Sequence, residues 1–139
     1  MTKNILFLCT GNSCRSIMAE ALMNHLGEGR YRAYSAGSRP TGTVHPRALE
    51  TLARHQIPVD TPQSRSWDEF TDIAFDDVVT VCDAAAAESC PIFPGKARKH
   101  HWSTPDPAHA TGSDSEIEAA FDQAFGMLKA RIEKLLAED

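Results

Sequence analysis

Apolar and polar positions in this chain alternate between two kinds of run. Residues 4–9, NILFLC, are short, nearly all apolar and ended by turn residues, which predicts a buried strand. After a loop of small residues, Ile17, Met18, Ala21, Leu22, His25 and Leu26 recur at helical spacing until Gly27 and Gly29 stop the helix. Residues 30–37, RYRAYSAG, predict a second strand closed by a glycine. His45-Pro46 opens another helix, with Pro46 suited to its first turn and Leu49, Leu52 and Ala53 as the inner stripe. Residues 58–66 read as a loop, and SWDEF after it as one helical turn. Residues 76–82, DDVVTVC, carry β-branched side chains on both faces and predict a strand buried on both. A weaker fourth strand lies near residues 99–102, followed by a loop through STPDPAHATGS. Ser113 and Glu116 form a capping box for a long last helix, whose stripe runs Ile117, Ala120, Phe121, Ala124, Leu128, Ile132, Leu135.

This order of strands and helices predicts an α/β domain with a parallel sheet and right-handed crossovers. The expected fold is a flavodoxin-like three-layer sandwich around a four-stranded sheet of order 2-1-3-4. In such sheets ligands bind beyond the carboxyl ends of the strands, where strands 1 and 3 diverge. Cys9 and Cys82 end those two strands. They are expected to face each other across one strand spacing of about 4.8 Å, close to the roughly 4.4–6.8 Å between Cα atoms that a disulfide needs.

The 139 residues fit one domain, residues 1–139, with no repeat or linker. Apolar content of 42% and charged content of 24% are those of an ordinary globular protein. The opening apolar stretch is too short for a signal-peptide core, so a cytoplasmic location is expected, with no membrane partner. A net charge of −5 argues against nucleic acid as the partner. Any anion site must therefore be built locally. Cys9, Cys14, Cys82 and Cys90 allow two structural disulfides in a secreted chain, but without an export signal they point to catalysis or metal binding.

The loop CTGNSCRS gathers the chemistry. Cys9 and Arg15 are spaced C-x5-R between a strand and a helix N-terminus. The N–H groups of Thr10, Gly11, Asn12, Ser13, Cys14, Arg15 and Ser16 can converge on a tetrahedral oxyanion, and the helix dipole adds positive potential. Arg15 supplies a planar fork for two oxygens. Gly11 is read as the residue that lets the backbone turn tightly. Beneath this ring, Cys9 is expected to have a lowered pKa, about 3.5–7.5, with Ser16 donating a further hydrogen bond to it. The plainer alternative is a capped turn holding a buried cysteine, which does not account for nucleophile, fork and small residues in one turn.

With these residues the chain resembles the low-molecular-weight tyrosine phosphatase fold and, more narrowly, the arsenate reductases built on it. The resemblance rests on CTGNSCRS, on YSAG at 34–37, on VVTVCDAAAAESCPIFPG at 78–95 and on HWSTPDPA at 101–108, so it covers nearly the whole chain. It implies reduction of arsenate to arsenite for detoxification. Asp106, before Pro107, is implied as the acid that protonates the leaving oxygen. Cys9 would attack arsenate, Cys82 would then attack Cys9, and Cys90 would move the disulfide outward to Cys82–Cys90 for a reductase partner. Thioredoxin is the expected reductant, with glutaredoxin and glutathione as the other candidate. The segment DAAAAES between Cys82 and Cys90 reads as a short helix able to unwind on oxidation; its seven residues exceed by one the spacing of the best-known thioredoxin-coupled members. No cofactor is expected. Some relatives bind potassium beside the loop; Asn12, Glu20 and Ser35 match that site in type, but Arg65 stands where an acid is expected, so no ion is predicted.

Several rival readings follow from the same residues. Cys82 and Cys90 can be a buried strand residue and a loop thiol, or part of a zinc site with His100 and His101, although the spacer is wide and adjacent strand histidines face opposite ways. Cys14 is read as a packed spectator, and His25, His45, His55 and His109 as surface or capping residues. A tyrosine phosphatase would share Cys9, Arg15 and Asp106 without needing the later cysteines, but Ala108 and His109 stand where phosphatases carry stacking aromatics. A non-catalytic oxyanion sensor would bind without turnover.

Overall fold

A computed structural model describes residues 2–59, 62–82 and 95–138. Strands β1 (Lys3–Cys9), β2 (Tyr31–Gly37), β3 (Asp77–Thr80) and β4 (Arg98–His101) form one parallel sheet in the order β2-β1-β3-β4, the flavodoxin-like order expected. Helices α1 (Arg15–Leu26), α2 (Pro46–Arg54) and α3 (Asp114–Glu138) pack one sheet face. A 3-10 turn at Trp67–Phe70 helps cover the other.

The period-two alternation of β1 divides the core. Ile5, Phe7 and Cys9 face the helices, with Val79, Val81, Leu22, Phe121 and Leu128. Leu6 and Leu8 face the second layer, with Val78, Phe70 and Phe75. Both β1 faces are buried, which is why its sequence reads as a continuous apolar run.

Two helix starts match their expected chemistry. Ser113 and Glu116 exchange backbone-to-side-chain hydrogen bonds of 3.2 Å each, a closed capping box at α3. His45 caps α2 by accepting from the Arg47 N–H through Nδ1 at 3.1 Å, with Pro46 following it. The inner stripe of α2 is rotated from expectation: Ala48, Thr51 and Leu52 are buried, rather than Leu49 and Ala53. Thr51 can be buried because its hydroxyl donates to the Arg47 carbonyl at 2.7 Å.

Strand β3 is shorter than the run from 76 to 82. Its ladder to β1 ends at Leu8 beside Thr80, and the Val81 N–H still donates to the Leu8 carbonyl at 2.9 Å. Val81 therefore continues the register opposite Cys9, and Cys82 follows one residue farther. The expectation that Cys9 and Cys82 stand level is corrected by that residue. Cys90 and the alanine-rich segment before it lie outside the described residues. No helix among the described residues is long and apolar enough to cross a membrane.

Candidate active site

Residues 9–16 leave β1, turn, and enter α1 at the carboxyl end of the sheet. The loop is held open from outside, through its carbonyls. Thr10 accepts from the Arg39 N–H at 3.0 Å and Ser13 from the His45 N–H at 2.9 Å. Gly11 accepts from the Thr41 N–H at 3.0 Å and from the Ser64 hydroxyl at 3.1 Å. In a trans peptide, a carbonyl and the next N–H point opposite ways. Fixing these carbonyls outward therefore aims the N–H groups of Gly11, Asn12 and Cys14 inward. The Asn12 N–H accordingly donates to Cys9 Sγ at 3.2 Å.

Asn12, not Gly11, is the left-handed residue of the loop, with φ of 47°. Asn tolerates this region better than most side chains, and here it is fully buried and tied on both sides. Its Oδ1 accepts from the Arg65 N–H at 2.7 Å, and its Nδ2 donates to Ser16 Oγ at 2.7 Å. Ser16 Oγ, already accepting, stands 2.9 Å from Cys9 Sγ with its own proton available for the sulfur. The glycine that the loop does require is Gly37, level with Cys9 on β2. A Cβ there would collide with the Thr10 carbonyl oxygen, so only glycine lets the loop settle on the strand.

Arg15 opens α1 and is buried, with 3% of its surface exposed. Its Nη1 donates to the carbonyls of Val81 at 3.2 Å and Thr104 at 3.0 Å. Its Nη2 faces Asp106 Oδ2 at 3.4 Å. One guanidinium thus ties the loop to the residue before Cys82 and to the segment carrying the acid. Asp106 does what an Asp before proline ordinarily does, capping a 3-10 turn by accepting from the Ala108 N–H at 3.0 Å. It also faces the site: Oδ1 accepts from the Cys14 thiol at 3.4 Å, and His109 Nε2 lies 3.7 Å from Oδ2.

Cys9, Cys14 and Cys82 are buried, and none of the three stands in a disulfide. Burial is the main reason the Cys14 thiol is pushed up to about 12; the neighbouring Asp106 charge adds to it. The histidines proposed for zinc are engaged elsewhere, His100 with Asp77 at 2.9 Å and His101 with Thr80 at 2.8 Å.

The residues beside the loop do not suit potassium. Asn12 Oδ1 already receives the Arg65 N–H, and Glu20 Oε1 receives the Ser35 hydroxyl at 2.6 Å. Burial raises the Glu20 pKa, while the Ser35 hydrogen bond and the Arg65 charge oppose that rise. Arg65 thus already sets a positive charge against the carboxylate that the ion would need.

Sequence reasoning placed Cys9, Arg15, Ser16 and Asp106 together, and the structure brings them together. It missed the brace from Ser64 and Arg65, the Val81 and Thr104 carbonyls, and the contact of Cys14 with Asp106. A cysteine at a helix N-cap, where an oxygen side chain usually stands, was the available signal for that contact.

Residues 4–138 match the low molecular weight phosphotyrosine protein phosphatase family. An arsenate reductase of Halalkalibacterium halodurans is 39% identical over 98% of this chain and 96% of its own. One of Shouchella clausii is 37% identical over 96% of each chain. The crystal structure of an arsenate reductase from Archaeoglobus fulgidus superposes with a TM-score of 0.79 at 30% identity, covering 96% of this chain and 98% of that one.

Proposed function

This chain belongs to the low molecular weight phosphotyrosine protein phosphatase family, and within it we propose that it is an arsenate reductase, converting arsenate to arsenite for arsenic detoxification. The observation that carries this reading is the pair of buried cysteines at the carboxyl ends of neighbouring strands, Cys9 in the oxyanion loop and Cys82 just past β3. A phosphatase needs the first and has no use for the second.

Arsenate sits in the cup of N–H groups, gripped by the Arg15 fork. Cys9, as the thiolate, attacks arsenic; a sulfur–arsenic bond forms, and one oxygen leaves as water with a proton from Asp106. Cys82 then attacks Cys9 Sγ. The sulfur–sulfur bond forms, the sulfur–arsenic bond breaks, and its electron pair stays on arsenic, releasing arsenite. Two thiols have supplied the two electrons. Cys90 attacks Cys82 and frees Cys9, leaving a Cys82–Cys90 disulfide for an external dithiol. A thioredoxin-type protein is the reductant this relay suits, which fits a cytoplasmic setting where such dithiols are kept reduced. Glutaredoxin with glutathione would need Cys9 alone.

The test is arsenate turnover with thioredoxin and its reductase, beside glutaredoxin with glutathione, with p-nitrophenyl phosphate hydrolysis measured in parallel. We expect turnover with thioredoxin. The Cys82→Ser variant should form the Cys9 adduct and stop; sustained turnover by it would remove Cys82 from the mechanism. Efficient phosphate-ester hydrolysis without arsenate reduction would return the chain to the phosphatases.

A further inference from the structure

Cys14 occupies the N-cap of α1, where Ser, Thr, Asp or Asn usually accepts a hydrogen bond from the first turn. Its side chain makes no such bond. The sulfur turns away from its own helix and donates to Asp106 Oδ1 at 3.4 Å, across 92 positions of sequence. Cys14 itself is 2% exposed, so its thiol reaches the partly exposed Asp106 from the buried side. With a pKa pushed up by burial to about 12, Cys14 keeps its proton through the neutral range and stays a donor.

The two oxygens of Asp106 are not equivalent. Oδ1 receives both the Cys14 thiol at 3.4 Å and the Ala108 N–H at 3.0 Å. Oδ2 faces the Arg15 guanidinium at 3.4 Å, with His109 beyond it at 3.7 Å. In a protonated carboxyl group the carbonyl oxygen is the better acceptor and the hydroxyl oxygen carries the transferable proton. Both neutral donors, the Cys14 thiol and the Ala108 N–H, fall on Oδ1 and favour it as the carbonyl oxygen; Oδ2, whose Arg15 contact an incoming oxyanion takes over, is left to carry the proton.

We propose that Cys14 is a positioning residue for the acid: its thiol holds Oδ1 and so directs the proton of Asp106 to Oδ2, beside the Arg15 fork that grips the oxyanion. This rests on the reading of Asp106 as the proton donor in arsenate reduction. The Cys14 thiol takes no part in the bonds that form and break; it acts through the orientation of one carboxyl group.

Cys14→Ser keeps a donor and Cys14→Ala removes it, at similar volume. In steady-state arsenate turnover, Cys14→Ala should lower kcat by about three- to tenfold, the scale of one hydrogen bond, with KM unchanged. Cys14→Ser should recover most of the loss. Equal impairment of both variants would mean a packing role only, and an unchanged kcat in Cys14→Ala, or a loss confined to KM, would overturn the proposal. A second measurement does not depend on activity. The S–H infrared band that disappears in Cys14→Ser should move to the frequency of a non-bonded thiol in Asp106→Ala. A band that stays in place would refute the contact whether or not the chain reduces arsenate. A band that moves in a protein without arsenate turnover would leave the contact standing and sink the assigned reaction instead.

Discussion

Arg15 and Asp77 are both charged, both almost completely buried, and stand at opposite ends of the sheet. Asp77 lies at the start of β3 and is closed by side chains of the adjacent strand. Arg98 reaches both of its oxygens, Nε to Oδ1 at 2.8 Å and Nη2 to Oδ2 at 3.1 Å, and His100 adds a contact of 2.9 Å. The register makes this possible, since Asp77 pairs with Arg98 and Val79 with His100, which puts all three side chains on one face. Arg15 is treated differently. Its anchors are two neutral carbonyls, and the carboxylate it meets stands 3.4 Å away on a loop. A buried charge is costly unless compensated, and the two ends answer that cost in two ways. The Asp77 cluster is complete in itself and joins strands. The Arg15 cluster holds the guanidinium in place through one edge, so the other can exchange Asp106 for an oxyanion.

Changes at the closed end should therefore read out as stability, and changes at the open end as turnover. The largest effect is expected from Arg98→Ala combined with His100→Ala, which strands the Asp77 carboxylate in the core. We expect a loss of about 3–5 kcal/mol in urea unfolding, with kcat per folded molecule unchanged. A loss of kcat without loss of stability would undo the distinction. Arg15→Lys should do the reverse, since an ammonium cannot span two oxygens. Turnover should fall by about 100- to 1,000-fold, with a much smaller change in the unfolding midpoint.

A third, exposed cluster should matter least. Asp122 meets Arg54 at 2.8 Å and His55 at 3.1 Å on the surface. What burial it has would raise its pKa, but the hydrogen bonds from Arg54 and His55 outweigh that and hold it below the usual carboxylate value. A depressed carboxylate contributes stability above its unfolded pKa and loses it as pH falls through the folded one. Asp122→Asn should therefore cost at most about 0.5 kcal/mol at neutral pH, given solvent screening, and the difference from wild type should fade as pH falls through the carboxylate range and vanish once Asp122 is protonated in the folded state. A gap that persists in acid would mean that charge is not the cause.

Much of this was legible in sequence because it is local. The buried strand before Cys9, the capping box at Ser113 and Glu116, the C-x5-R spacing and the order of elements each depend on residues a few positions apart. Those features determined the fold class and put Cys9, Arg15 and Ser16 in one loop. What the tertiary structure decided are pairings between distant segments: Cys14 with Asp106, Arg15 with Val81 and Thr104, Asp77 with Arg98 and His100, and Gly37 under Thr10. No periodicity encodes these, because a side chain's partner is set by strand register and loop path once the whole chain has packed. The alternation of the chain can say which face a residue takes, but only the closed core says what waits there.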